Sequence, residues 1–544
     1  VLSHKLMRMT DRLGAVAVTA VALLYGRAWA FTLQCDDLVF IGPWSPAELT
    51  AVWHGTWEPQ QALAVFFRPL VSWFFAGTFE LFGVNAHAHM VLSLALFAAV
   101  AWALGAFVRR ESGSMTLATL AIAIFVLHPN TVWSSGVWIT NSTHKLAALA
   151  AFAALWAWHR VRQRGVRAWW PVALAISVSF LCKEDALMLI PAIATAQWLR
   201  ARLVGDVRRP DAALLTAGVV LGVSLVLWRT LALGEMGGFL FSLEAGAILR
   251  NIVRGPLYVA TWQGTLAEPF TRPGLVAVAV AAVVVAGLVL QVLRSRRDRR
   301  WPVGLALVIA LWYNVPLAVI SNSTRYYMLT ACGSLVLAAV IEHVWRARRT
   351  TTGRVVTAVG VAVIALHALT LQQRALTVFA PCGQAAMDCR AWTLEMVSQL
   401  PPEARALTME TGTRCTTGRS VRLDREAALT WGLGSASLDT DTGVTSRVAG
   451  DHVVALLDTS SASTTLHLRH PDATSISPVE VEISIDGHEA ARLHLTSDAW
   501  ISTALPLTRN WRTWLRGMHR ADVRVTSGGV SRTGLEWRPA ASHH

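Results

Sequence analysis

Apolar residues fill much of the first two thirds of the chain in stretches of about twenty, separated by short polar segments. A helix needs about 20 apolar residues to cross a hydrocarbon core of ~30 Å, so each such stretch predicts a membrane span. About eleven emerge, near residues 13–33, 86–108, 115–130, 143–159, 169–182, 185–201, 211–231, 273–293, 301–320, 326–345 and 355–371. The first contains the cleavage-like triplet Ala28-Trp29-Ala30, but Arg27 beside it and the long apolar run favour a retained span. Beyond Thr370 the period drops to two, the signature of half-buried strands. Val479–Ile485 alternates apolar with polar residues and runs into Asp486-Gly487-His488, which predicts a hairpin. A two-residue Asp-Gly turn would pair Ile485 with His488 and send Leu493 and Leu495 to the wrong face. A three-residue loop with a glycine bulge sets Ile483 opposite Ala491, Val481 opposite Leu493 and Val479 opposite Leu495, and this is the expected register. Similar pieces at 453–457, 465–468 and 523–525 extend the pattern. The expectation is an α-helical polytopic membrane protein of about 11 spans over residues 1–371, followed by a β-rich, sandwich-like domain over 372–544.

Composition agrees with the pattern: 54% of the residues are hydrophobic and only 15% charged, which excludes a soluble enzyme and a disordered chain. The formal net charge of +14 would suit nucleic acid, but the cations lie in short loops between apolar runs, with no basic domain, so no nucleic-acid partner is expected. They report topology instead. One set of alternate loops, with Lys5, Arg8 and Arg12, holds about 22 Lys and Arg, and the opposite set about eight. The positive-inside rule then puts the N-terminus in the cytoplasm and, for an odd span count, the C-terminal domain outside the cytoplasm. Residues 66–82 are apolar enough to span, which would invert every later loop. Arg68-Pro69 at one end, Glu80 at the other and the charge bias favour a helix lying in the outer interface. The 24 tryptophans, many near span ends, suit interfacial anchoring.

Chemistry at membrane depth is carried by ionisable residues, because they are expensive there. Several fall on the cation-poor side: Asp36-Asp37 after the first span, Arg68-Pro69, His87 and His89, His128-Pro129, Lys183-Glu184-Asp185, and Arg325-Tyr326-Tyr327. Each has a plainer reading. The aspartates could cap a helix, Lys183-Glu184-Asp185 could open one, Arg325 could anchor at the interface, and the histidines could be packing residues. Arg229, Glu235, Arg250, Arg254 and Glu268 carry no motif. No Cys or His spacing makes a zinc site, and there is no phosphate-binding glycine loop. Cys382 and Cys389 lie in the exterior domain, where a disulfide is permitted.

The order of these pieces resembles the GT-C superfamily of membrane glycosyltransferases, and most closely its protein O-mannosyltransferase-like members. The matching residues are Cys35-Asp36-Asp37, Phe67-Arg68-Pro69-Leu70, Phe82-Gly83 with His89, His128-Pro129 with Trp133 and Trp138, Leu181-Cys182-Lys183-Glu184, and Thr324-Arg325-Tyr326-Tyr327. The likeness covers about residues 10–345; the β-rich domain stands where those relatives carry tetratricopeptide repeats. It implies a polyprenyl-phosphate sugar donor, a protein, lipid or glycan acceptor, and inverting transfer to a hydroxyl at the outer face of the cell membrane. Asp36 or Asp37 would be the general base, because a hydroxyl needs a proton acceptor as it attacks. Arg325, Lys183 and Arg68 would hold the donor phosphate as its charge grows, and Glu184, Tyr326, Tyr327, His128 and His89 would line the substrate site. Paired acidic residues can serve a cation as well as a proton, which leaves a divalent metal open. Trp500, Trp511, Trp514 and Trp537 could stack on sugars or form core. The alternative is a multi-span transporter or lipid flippase with an exterior sensor domain. Against it, transporters place polar residues at the bilayer midplane and often show repeated halves, and no repeat is visible here.

Overall fold

The computed structural model describes residues within 2–234, 297–319 and 327–347, the isolated positions 248, 252 and 369, and strands lying between 406 and 539. Within the first stretch it leaves aside chiefly 29–36, 58–65, 132–137, 165–168 and 205–211. The expected span at 273–293, that at 355–371 apart from position 369, the junction at 371/372 and the Cys382–Cys389 pair lie outside the described residues.

The helices are α1 (Leu2–Tyr25), α2 (Asp37–Phe40), α3 (Pro46–Ala51), α4 (Pro69–Phe82), α5 (Ala86–Ser112), α6 (Met115–Leu127), α7 (Pro129–Thr131), α8 (Ser142–Arg164), α9 (Trp170–Cys182), α10 (Leu189–Val204), α11 (Ala212–Leu233), α12 (Arg297–Val319) and α13 (Tyr327–Ala347). Among the described residues, Ala86–Ser112, Thr216–Leu233 and Tyr327–Trp345 are long and apolar enough to cross a membrane, and shorter apolar helices accompany them. The chain is a multi-pass membrane protein.

Local chemistry sets the helix ends. Asn85 and Ser114 cap α5 and α6, their side chains accepting from the N–H groups of Ala88 and Leu117. Gly113 closes α5 with φ 71°, a left-handed conformation that a Cβ would oppose. Pro69 opens α4 and Gly83 ends it with φ 54°. The expected span at 185–201 begins instead with a 3-10 turn, Glu184–Met188, before α10. That turn keeps Glu184 and Asp185 in a connection rather than inside the span.

One apolar core joins α1, α5, α6, α8, α12 and α13, with Leu13, Tyr25, Phe97, Phe125, Trp158 and Tyr327 among its buried members. In the last turn of α5, Glu111, its side chain buried, binds His159 and accepts from Arg162 and Trp301, which ties α5, α8 and α12 together.

The C-terminal strands form antiparallel sheets: β1 (Ala406–Glu410) with β2 (Ser420–Asp424); β10 (Glu536–Pro539), β5 (Ser463–Arg469) and β8 (Ile501–Pro506); and a five-stranded sheet. The last has the order β3 (Ser446–Ala449), β4 (His452–Asp458), β9 (Met518–Ser527), β6 (Val479–Ile485), β7 (His488–Leu495). Val479, Val481, Ile483 and Ile485 are buried and the residues between them are partly exposed, the alternation expected of a one-sided strand. The expected pairs Ile483–Ala491, Val481–Leu493 and Val479–Leu495 are all present. The closure differs: Ile485 does pair with His488, and the ladder shifts between Ile483 and Ser484, which leaves Ala490 as an extra residue. The bulge sits in the strand instead of the loop, and it restores the apolar face that a two-residue turn would have inverted.

Candidate active site

Asp37 begins α2 and is fully buried. Its Oδ1 accepts two hydrogen bonds from Thr140, from the backbone N at 2.6 Å and from Oγ1 at 2.5 Å. Thr140 stands in the turn that opens α8, where Thr143 donates back to its carbonyl through both N and Oγ1. An anion at the start of a helix meets unspent N–H groups and the positive end of the dipole, so this is a favourable seat for a carboxylate. Five residues further on, Lys145 is also fully buried. Its Nζ donates to Ser93 Oγ and, at 3.4 Å, to the Ser93 carbonyl on α5.

A second cluster joins residues that are distant in sequence. Arg68 precedes Pro69, which favours extended backbone at that position, and its Nε donates to Glu184 Oε2 at 3.0 Å. The Phe67 N–H donates to the other oxygen of the same carboxylate at 2.8 Å. The guanidinium also lies 4.2 Å from the Phe66 ring centroid and 4.8 Å from that of Trp57. Burial raises the Glu184 pKa, but Arg68, Arg229 and the Phe67 N–H outweigh it and hold the carboxyl below the usual carboxylate range. Neighbouring Lys183 is buried and paired through Nζ with Asp185. Among the described residues only the Nε–H of Arg68 is hydrogen-bonded, which leaves its terminal amino groups for an anion. The two clusters connect through aromatic rings: Phe40 of α2 packs at a tilt against Trp57, centroids 4.2 Å apart, and Trp57 touches Arg68.

The remaining expected residues fall as follows. His128 is buried at the end of α6, and its Nδ1 accepts from the Asn130 N–H at 3.2 Å. His89 is buried in the first turn of α5, with Nε2 2.8 Å from the Gly83 carbonyl and its ring edge-on to Phe82, so it ties α5 to the end of α4. Tyr327 opens α13, with its ring against Phe125 and His144. Asp36, Arg325 and Tyr326 lie outside the described residues. Of Trp500, Trp511, Trp514 and Trp537, Trp537 pairs with Leu468 along the β10 backbone and the other three also lie outside the described residues. Among the described residues no three His, Cys, Asp or Glu side chains gather in a way that would hold a metal ion.

Thr140, Lys145 and the Trp57 platform went unnoticed in the sequence, and Arg229 had no role assigned. Lys145 had a signal of its own: a cation two residues inside an expected span is as expensive as the carboxylates that were singled out. Arg229 sits beside Trp228, whose ring meets Phe67 at 5.4 Å and Trp53 at 5.7 Å, and its charge acts on Glu184.

Residues 67–228 match the dolichyl-phosphate-mannose-protein mannosyltransferase family. The matched segment contains Arg68, His89, His128, Lys145, Lys183 and Glu184, and excludes Asp36, Asp37 and Arg325. No curated protein matches the chain. Among solved structures, the archaeal oligosaccharyltransferase AglB from Archaeoglobus fulgidus, in complex with an inhibitory peptide and a dolichol-phosphate, is 14% identical with a TM-score of 0.45. The alignment covers 74% of this chain and 58% of that one. The arabinosyltransferase EmbB from Mycobacterium smegmatis is 13% identical with a TM-score of 0.30, over 97% of this chain and 64% of that one. The chain thus spans less than two thirds of either structure's length.

Proposed function

Because residues 67–228 carry the pattern of a GT-C mannosyltransferase family, we propose that this multi-pass protein transfers a sugar from a polyprenyl-phosphate donor to an acceptor hydroxyl. The transfer takes place at the outer face of the cell membrane and inverts the anomeric centre. Asp36 is the general base, taking the hydroxyl proton as the oxygen attacks the anomeric carbon, and Asp37 is its positioning neighbour. This division is supported by the complete burial of Asp37 and its two bonds from Thr140, which leave it poorly placed to meet a substrate. The leaving phosphate is met by Arg68, Lys183 and Arg325, and fixed cations in a water-poor site stabilise charge that grows as the bond breaks. Glu184, His89, His128, Tyr326 and Tyr327 frame the substrate site, and residues 372–544 form an exterior domain that meets the acceptor.

The observation that carries this reading is Arg68 locked to Glu184 through Nε, with no hydrogen bond to its terminal amino groups among the described residues. A guanidinium oriented by a carboxylate and two aromatic rings is preorganised to grip phosphate oxygens. Purified protein should transfer label from one member of a panel of radiolabelled polyprenyl-phosphate sugars, and Asp36→Asn should lower turnover by ~10²–10⁴-fold while still binding donor. Wild-type inactivity across the panel, or near-normal turnover in both Asp36→Asn and Asp37→Asn, removes the reading.

A further inference from the structure

Arginine and tryptophan meet repeatedly at the ends of α5 and α8 remote from Asp37. Arg162 lies 4.7 Å from the Trp158 ring centroid and 5.3 Å from that of Trp301, and Arg200 of α10 lies 5.0 Å from Trp301. Both of those indoles are buried, and Glu111 balances Arg162 by accepting from its Nη2 on both oxygens. The third indole of the group is different. Trp156 of α8 is 37% exposed, and two guanidiniums share its ring: Arg160, one turn along the same helix, at 4.8 Å, and Arg110, from the last turn of α5, at 5.4 Å. Arg160 is exposed, and among the described residues neither its guanidinium nor the Trp156 indole N–H has a hydrogen-bond acceptor. Like charges on one ring repel, and an anion beside them relieves that repulsion. From Trp156 to Trp170 the chain carries four arginines and no acidic residue. At 1.5 Å per residue, Arg160 stands about 27 Å along α8 from Ser142, close to the ~30 Å thickness of a hydrocarbon core. The trio thus lies one bilayer away from the Asp37–Thr140 contact, at the opposite headgroup layer.

We propose that Arg110, Trp156 and Arg160 form a headgroup site for an anionic phospholipid in the leaflet opposite the candidate active site. A guanidinium takes phosphate oxygens in pairs, and the indole N–H adds a neutral donor at the depth where tryptophan prefers to sit. Basic pockets between helices on an arginine-rich side are suited to such headgroups. Because Arg110 comes from α5 and the other two residues from α8, one headgroup clasps both helices, and its binding stabilises their packing. The site is separate from the sugar transfer proposed above and does not depend on it.

The test uses the whole chain in a neutral detergent, with dioleoyl phosphatidylglycerol as the probe and dioleoyl phosphatidylcholine as its uncharged counterpart. Native mass spectrometry should show phosphatidylglycerol bound more tightly than phosphatidylcholine, and adding it should raise the melting temperature. Replacing both arginines, Arg110→Gln with Arg160→Gln, should weaken the tightest phosphatidylglycerol binding by about 30-fold, about fivefold for each charge, and remove the rise in melting temperature. Trp156→Phe keeps the ring but loses the N–H, and should weaken binding by a smaller factor. Arg12→Gln removes an exposed arginine of α1 from the same expected side and should leave that binding unchanged. An equal loss in Arg12→Gln would mean general charge attraction and would overturn the site. Equal binding of the two lipids would overturn it too, as would inorganic phosphate that protects as well as phosphatidylglycerol at the same concentration. Should the double variant not fold, Arg160→Gln alone decides at an exposed position: a fivefold loss supports the site, and wild-type binding overturns it.

Discussion

Arg68 and Glu184, 116 positions apart in the chain, meet with Nε 3.0 Å from Oε2, and this contact fastens the start of α4 to the turn after α9. The arginine side chain is 8% exposed and the glutamate 18%, so neither charge is well solvated. Removing one partner of a buried pair typically costs ~3–5 kcal/mol, chiefly because the other is stranded. Arg68→Ala and Glu184→Gln should both destabilise, toward the lower end of that range given the partial exposure, and Arg68→Lys should recover only part. Thermal unfolding in detergent checks this; wild-type melting in Arg68→Ala would mean the pair is idle.

The same pair carries a pH dependence. Glu184 titrates lower in the folded protein than in the unfolded chain, despite burial, because Arg68, Arg229 and the Phe67 N–H favour its charge. Its contribution is therefore fully present above the unfolded carboxylate pKa of ~4.3 and is lost as pH falls through the lower folded value. Melting temperatures of wild type and Glu184→Gln should differ at neutral pH and converge in acid. A gap that stays constant down to pH ~3 would contradict the assignment.

Arg325 is expected to grip the donor phosphate, with Lys183 as a second contact. Guanidinium can hold two phosphate oxygens at once, and ammonium offers a point charge. Arg325→Lys should lose much of the activity, and Arg325→Ala should also weaken binding of a polyprenyl phosphate that lacks the sugar. Unchanged binding of that lipid to Arg325→Ala would reduce the residue to an interface anchor.

Topology offers a check that needs no substrate. The bias of about 22 to eight cations predicts a C-terminal domain outside the cytoplasm. A reporter fused after His544 should be active only there; cytoplasmic activity would mean that residues 66–82 cross the membrane, and the proposed site would be on the wrong side.

The β6–β7 hairpin makes a prediction about length. Ala490 is the extra residue of the bulge, so deleting one alanine of Ala490-Ala491 leaves a continuous ladder from Ile485–His488 to Val479–Leu495. The shortened protein should keep its fold and resistance to proteolysis in that domain. Inserting an alanine there should not be tolerated equally, because every later side chain would change face. Loss of folding in the deletion would show that the bulge does more than restore parity.

These elements show where the sequence was readable. The spans at 86–108 and 143–159 appear as α5 and α8, because an apolar run that long has few other solutions in a membrane. Arg68 and Glu184 were each singled out, but their pairing was not, since it depends on how α4 packs against α9. The hairpin register was legible from alternation, whereas the bulge position was not, because Asp-Gly-His and Ala-Ala can both absorb one residue. Lys145 was missed for a different reason: a hydropathy window averages a single cation into its apolar neighbours.

The burial of Lys145 also bears on how the protein is made. A lysine costs ~2.5–3.5 kcal/mol to insert at the centre of a membrane helix and less near an end, and Lys145 stands in the first turn of α8. Chains emerge from the ribosome N-terminus first, so Ser93 has left it before Lys145 does. The helix that carries the lysine therefore enters a membrane where Ser93, its hydrogen-bond acceptor, is already in place, and the order of synthesis favours its insertion.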